Sequence, residues 1–202
     1  HQELFKNLDD NGAIVSIETG YANLTPKRYR QEYSIYPIYY YNLESIKHLE
    51  GNEFIKLLKE EFPNLKKIVV GFDFCFGKDR KYCIEKLKEL FEGEVVVINE
   101  VKLEDIAVHS RIIREYLKAG NIQIANKLLG KEHKIYGHQI KGQGLGAKSF
   151  VPTINLKVEE FLLPKDGVYI TKTILDLKEY NSITFLGHRF TTDGSYAVET
   201  HI

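Results

Sequence analysis

The sequence predicts an α/β domain built on a parallel sheet, followed by a small antiparallel β-barrel. Three observations carry this. Over residues 1–129 short apolar runs alternate with stretches of helical spacing, the pattern of parallel strands joined by helices. After Gly130 short strands follow one another, separated by Gly, Pro and Asp, with no helical pattern between them. The chain of 202 residues, 43% hydrophobic and 12% aromatic, is long and apolar enough to bury one large core or two small ones. The expected division is 1–129 and 130–202.

In chain order, residues 1–8 read as the end of a helix, and Asn11-Gly12 punctuates before a short apolar strand at 13–17. Thr25-Pro26 opens a helix whose face carries Lys27, Arg28 and Arg30, read as a solvated basic face before a phosphate contact. Residues 37–41 form a second strand. Helices at 43–49 and 53–62 follow, the latter with Phe54, Leu57 and Leu58 at helical spacing. The continuously apolar run at 66–71 is a buried parallel strand. A helix at 84–91, a strand at 94–98 and helices at 110–117 and 122–129 complete the first part. The second part offers strands at 134–140, 153–158, 167–174, 182–186 and 196–202.

Charge and composition exclude several function classes. The 28 basic and 28 acidic residues cancel, so no general field draws the protein to nucleic acid or an anionic membrane. Any polyanionic partner is a small molecule held at a local site. No apolar run is long enough to span a bilayer, and the first residues do not read as a signal peptide, which points to the cytoplasm. Cys75 and Cys83 are then expected as two reduced thiols rather than a disulfide. Methionine is absent where average usage gives about four or five. That absence, with a start at histidine, leads us to expect native residues beyond this stretch at both ends.

The chemistry concentrates after residue 137. Gly142, Gly144 and Gly146 alternate, so the backbone there can adopt positive φ and approach a ligand with no Cβ in the way. An ordinary turn is the competing reading of such a run. Pro152 stiffens the chain, and Thr153 and Asn155 then stand two apart in an extended run, a hydroxyl and a carboxamide on one strand face. Two small oxygen donors suit a hydrated Mg²⁺ and the phosphates it carries. Glu199, in the strand at 196–202, is a candidate base. Taken singly, a Thr-x-Asn pair is usually a solvated face and a lone Glu has no role.

Together these residues resemble the bacterial bifunctional riboflavin kinase/FAD synthetases. Pro152-Thr153-Ile154-Asn155 resembles the family's PTAN motif, Leu163-Pro164-Lys165-Asp166-Gly167-Val168-Tyr169 its LPxxGVY segment, and Val198-Glu199-Thr200-His201 its VETH segment. Upstream, Gly71-Phe72-Asp73-Phe74-Cys75-Phe76-Gly77 resembles its GFDFRFG stretch, residues 110–114 the end of its ISSTxIR motif, and residues 120–130 its linker helix. The resemblance implies a nucleotidylyltransferase (Rossmann-like) domain before a Greek-key riboflavin kinase barrel. It implies phosphorylation of riboflavin to FMN and adenylylation of FMN to FAD, with ATP as co-substrate and Mg²⁺ as metal.

The same resemblance distributes roles. Thr153 and Asn155 hold the metal, backbone N–H groups of Gly142, Gly144 and Gly146 cradle phosphates, and Glu199 takes the proton of the ribityl hydroxyl. In the first domain His1 and Arg114 stabilise the phosphate, Ser110 binds it at a helix N-terminus, and Asp73, Phe74 and Phe76 contact the flavin. Plainer readings compete there: Arg114 as a surface charge, Ser110 as a helix cap, and alternating aromatics as core. Departures fall at Val108-His109-Ser110-Arg111, where the family has ISST, and at Phe150 and Ile154 beside the glycine loop. They keep two alternatives open: a kinase with a degenerate adenylyltransferase domain, or a flavin- or nucleotide-binding module without turnover. Oligomeric state is not legible in the sequence.

Overall fold

The computed structural model describes residues 2–20, 23–141, 153–189 and 194–202. Its elements run α1 (Gln2–Phe5), β1 (Ile14–Glu18), α2 (Lys27–Arg30), β2 (Ile38–Asn42), α3 (Leu43–Ile46), α4 (Gly51–Glu61), β3 (Lys67–Gly71), α5 (Ile84–Leu90) and β4 (Glu94–Ile98). Then come β5 (Lys102–Leu103), β6 (Ile106–Ala107), α6 (Ser110–Ala119), α7 (Ile122–Leu129), β7 (Gly137–Ile140), β8 (Ile154–Val158), β9 (Gly167–Leu175), β10 (Lys178–His188) and β11 (Tyr196–His201). The described residues divide into two compact units, 1–21 with 27–102, and 22–26 with 103–202.

In the first unit the strands pair in parallel, β1 with β2 and β3 with β4. Connections between parallel neighbours need a crossover, and helices supply it. The β2 strand ends where Asn42 turns from strand to cap, its carboxamide accepting from Glu44 N at 3.0 Å to start α3. A capping box of Glu50 and Glu53 opens α4, which buries Phe54, Ile55 and Leu58. These side chains meet Val70 of β3, Leu87 of α5, Phe76 and Phe91 in one apolar core.

A loop leads from β3 to α5, and here an expectation is corrected. Cys75 and Cys83 form a disulfide with an S–S distance of 2.11 Å. The cause is local. Phe76 and Tyr82 make a two-residue antiparallel bridge, Phe76 N to Tyr82 O at 2.7 Å and Tyr82 N to Phe76 O at 3.3 Å. That bridge sets the flanking cysteines opposite one another, with Cα atoms 4.1 Å apart. Gly77 makes the turn at φ 69°, and a Cβ there would lie 2.6 Å from the Tyr82 ring.

The second unit extends upstream of the expected 129/130 division. Helices α6 and α7 pack with the strands that follow them: Ile113, Leu117, Ala125 and Leu128 share a core with Leu162. Two polar contacts fix the same arrangement. Lys165 N donates to Leu117 O at the end of α6 at 3.0 Å, and His133 Nε2–H donates to Leu162 O at 3.2 Å. Helical periodicity alone placed α6 and α7 with the α/β part. Their apolar faces are instead covered within the second unit.

The remaining strands form one five-stranded antiparallel sheet in the order β7-β8-β11-β10-β9. Strands β9, β10 and β11 are consecutive neighbours, whereas β8 lies beside β11, two strands out of sequence order. That return is the Greek-key connection. Among the described residues no helix is long and apolar enough to cross a membrane.

Candidate functional site

The β8–β11 pairing brings Asn155 opposite Glu199. Alternation then puts the two side chains on one sheet face, in a row with Ile140 of β7 and Phe185 of β10. Asn155 is buried, at 9% exposure, and Glu199 is half-buried. Thr153 precedes β8 and is exposed. Two of the residues expected around a metal and a reacting hydroxyl therefore stand side by side, with the third at the strand entrance.

A residue that the sequence reading did not single out joins them. Arg189, one position beyond β10, donates Nε–H to Glu199 Oε1 at 2.7 Å, and its Nη2 reaches the same oxygen at 2.7 Å. Nη2 also donates to Asn155 Oδ1 at 2.5 Å, and Nη1 to Ser195 Oγ at 3.1 Å. The guanidinium thus ties three side chains across β8, the β10–β11 hairpin and β11. The ion pair is only about one-quarter exposed, and charge-assisted bonds of this kind are stronger than neutral ones. Among the described residues the second Glu199 oxygen, Oε2, accepts no hydrogen bond. A signal for Arg189 existed in the sequence: extending the β10 alternation by one residue puts it on the same face as Phe185, the register partner of Glu199.

Around the cluster the hairpin is held by neutral contacts. Arg189 N donates to Ser195 O at 2.9 Å and Gly194 N to Arg189 O at 3.1 Å. Tyr196 packs edge-on against His188 and donates its hydroxyl to Asp166 Oδ1 at 3.1 Å. Burial, then that hydrogen bond to a carboxylate, pushes the Tyr196 phenol up to about 12, so it stays protonated. Gly142, Gly144 and Gly146, expected to cradle phosphates, lie outside the described residues, as does His1.

The candidates of the α/β part are distributed differently. Asp73 is exposed on the loop after β3, and Phe74 is half-buried beside it. Phe76 is 5% exposed, stacked on Phe74 at 5.7 Å and packed against Phe54, so its ring is spent on the core. That placement matches the plainer reading, in which the alternating aromatics are core. Ser110 and Arg114 sit on α6 in the second unit, whereas Asp73 and Phe74 belong to the first. Ser110 is the first helical residue and His109 occupies the cap position, so Ser110 does not cap α6.

The basic cluster on α2 also has a structural account. Arg30 forks onto Glu18 at the end of β1, with Nη2 to Oε2 at 3.1 Å, and Nη1 also reaches Ser16 Oγ at 3.0 Å. Lys27 lies 4.4 Å over the Tyr40 ring. Burial raises the Glu18 pKa, but the bonds from Arg30 and Ser16 outweigh it and hold the carboxyl below its ordinary range. Arg30 is thus paired, whereas Lys27 and Arg28 remain exposed, as a solvated basic face would have them.

Comparisons with known proteins place both parts of the chain among known families. Residues 129–202 match the riboflavin kinase family model, and residues 27–112 match the FAD synthetase model. A bifunctional riboflavin kinase/FMN adenylyltransferase of Buchnera aphidicola from Schizaphis graminum is 34% identical over 133 residues, 64% of this chain and 43% of that protein. The protein of the same name from Pseudomonas fluorescens is 27% identical over 164 residues, 79% of this chain and 53% of that protein. The chain therefore spans about half the length of the curated relatives it matches. A crystal structure described as a macrolide-efflux protein from Streptococcus pneumoniae superposes with a TM-score of 0.85 at 28% identity, covering 100% of this chain and 74% of that one. The two family models are matched in order, residues 27–112 by FAD synthetase and residues 129–202 by riboflavin kinase, with Asn155 and Glu199 paired inside the second match. The chain is similar to the bifunctional riboflavin kinase/FMN adenylyltransferases.

Proposed function

We propose that this protein phosphorylates riboflavin to FMN with ATP and transfers an adenylyl group from ATP to FMN, giving FAD. The kinase is placed in residues 130–202 and the adenylyltransferase in 1–129. The observation that carries the kinase reading is the Asn155–Arg189–Glu199 cluster: a carboxylate with one oxygen held and the other open to a donor. In phosphoryl transfer the protein positions the nucleophile and stabilises charge rather than forming covalent intermediates. Glu199 Oε2 is the atom that takes the ribityl hydroxyl proton as the oxygen attacks the γ-phosphorus, while Oε1 remains anchored.

The donor chemistry fits Mg²⁺. The cluster already holds a cation, the Arg189 guanidinium, between a carboxamide oxygen and a carboxylate oxygen, both hard donors. Asn155 and Thr153 would hold the ion, and when bound it would neutralise charge developing on the transferred phosphoryl group. Among the described residues no three His, Cys, Asp or Glu gather into a metal site. Substrates of this kind place the protein in the cytoplasm, with riboflavin, FMN and ATP as its partners.

A second reading, a kinase whose adenylyltransferase half is degenerate, is favoured by one observation: Phe76 is committed to the core. Incubation of the full chain with riboflavin, Mg²⁺ and ATP labelled separately at the γ- or α-phosphate tests both. Label from the γ position is expected in FMN and from the α position in FAD. No FMN at all defeats the proposal, and labelled FMN without FAD replaces it with the kinase-only reading.

A further inference from the structure

Beyond anchoring Glu199 Oε1, Arg189 makes a contact to Asn155 that catalysis as just proposed does not require. Its Nη2 lies 2.5 Å from Asn155 Oδ1 and 2.7 Å from Glu199 Oε1, bridging the two oxygens that the proposed function gives to the metal and the base. A Mg²⁺ bonded to Oδ1 sits at ~2.0–2.1 Å from it. The same oxygen cannot hold that ion and the guanidinium at these distances without setting two positive charges within a few ångströms, in a cluster only partly open to solvent. One occupant excludes the other.

We propose that Arg189 is a positioning residue that stands in for the divalent cation, keeping Asn155 and Glu199 in register until a nucleotide-borne ion displaces it from Asn155. This rests on the kinase reading above. The backbone is arranged for such an exchange. Arg189 N–H and C=O are bonded to Ser195 O and Gly194 N, so the hairpin stays closed when the side chain moves. Ser195 Oγ, already 3.1 Å from Nη1, holds the guanidinium near Glu199 while the Asn155 bond is exchanged. A bare ion must expel Arg189 unaided; an ion carried on ATP phosphates does not, because the phosphates offer the guanidinium a new anionic partner. Binding of the metal is thereby made conditional on the nucleotide.

The test is a titration of the full chain with Mn²⁺ alone, followed by the electron paramagnetic resonance of the free ion. Arg189→Ala removes the competing charge and is expected to bind Mn²⁺ at least about tenfold more tightly than the wild type. Arg189→Lys retains a cation and should stay near the wild-type affinity. The gain should vanish in Arg189→Ala combined with Asn155→Ala. In the turnover assay Arg189→Ala should lower kcat while lowering the Mg²⁺ concentration needed for half-maximal rate. A structural prop would give unchanged or weaker Mn²⁺ binding in Arg189→Ala, and that result overturns the proposal. Should Arg189→Ala fail to fold, Arg189→Gln carries the same reading, because it too is neutral. The Mn²⁺ titration needs no turnover, so a protein without kinase activity defeats the proposed function while the Mn²⁺ affinities still decide the role of Arg189.

Discussion

Each face of the five-stranded sheet carries a polar cluster, and the two clusters differ in kind. On one face a run of hydroxyls passes from strand to strand: Thr173 to Ser182 at 2.7 Å, Ser182 to Thr171 at 2.8 Å, Thr171 to Thr184 at 2.7 Å, and Thr184 to Thr200 at 2.8 Å. Ser182, Thr184 and Thr200 are buried, and the run carries no charge. On the other face Asn155, Arg189 and Glu199 form a charged cluster with one carboxylate oxygen left open. Adjacent residues of β11, Glu199 and Thr200, therefore serve opposite ends. A satisfied network specifies structure, whereas a cluster with spare hydrogen-bonding capacity is equipped to act on a ligand.

That contrast is sharpened first by Asn155→Ala. Loss of the carboxamide oxygen should reduce FMN formation by about 10–100-fold, the range seen when groups supporting a metal are lost. The deficit should narrow as Mg²⁺ is raised; a deficit independent of Mg²⁺ would remove Asn155 from metal binding. On the opposite face, Thr184→Val takes from the buried Thr200 hydroxyl its Thr184 partner, while Thr171 keeps Ser182, and should cost about 1–3 kcal/mol in denaturant unfolding. Its kcat should stay near the wild-type value. A large loss of turnover at full stability would erase the distinction between the faces.

Away from the sheet the expected effects are on stability alone. Cys75→Ser with Cys83→Ser opens a loop of sequence separation 8 and should cost about 2–3 kcal/mol in the first unit. Riboflavin phosphorylation, placed in the other unit, should be unaffected. The smallest effect concerns His133. Burial pushes its pKa below the ordinary 6.5, opposed by the Leu162 carbonyl and assisted by the Lys131 charge. The folded protein therefore binds a proton less readily than the unfolded chain. Its contribution is full above pH 6.5 and declines as pH falls through that value toward the lowered one. Unfolding at pH 7 and pH 5 should show a loss that His133→Asn reduces; an equal loss in both proteins would discharge His133.

Much of the fold was legible because it rests on local pattern. The apolar run 67–71 and the spacing of Phe54 and Leu58 are strand and helix signals within one turn of chain. What escaped depends on distant partners. The pairing of Asn155 with Glu199 needs β8 to lie beside β11, which no local pattern encodes. Arg189 escaped because its partners are a strand neighbour ten positions on and a residue thirty-four positions back. The disulfide escaped because the Phe76–Tyr82 bridge that aligns the cysteines is set by a turn at Gly77, not by their spacing. Periodicity likewise showed α6 and α7 to be amphipathic without revealing that Leu162, some forty residues beyond the end of α6, would cover them.

The measurement that bears most directly on the account is the rate of FMN formation at saturating riboflavin and ATP in Glu199→Gln. The substitution preserves shape and removes the proton acceptor. General-base catalysis is worth about 10²–10⁴-fold, and kcat should fall by an amount in that range with riboflavin binding little changed. Wild-type kcat in Glu199→Gln would contradict the role given to the Asn155–Arg189–Glu199 cluster.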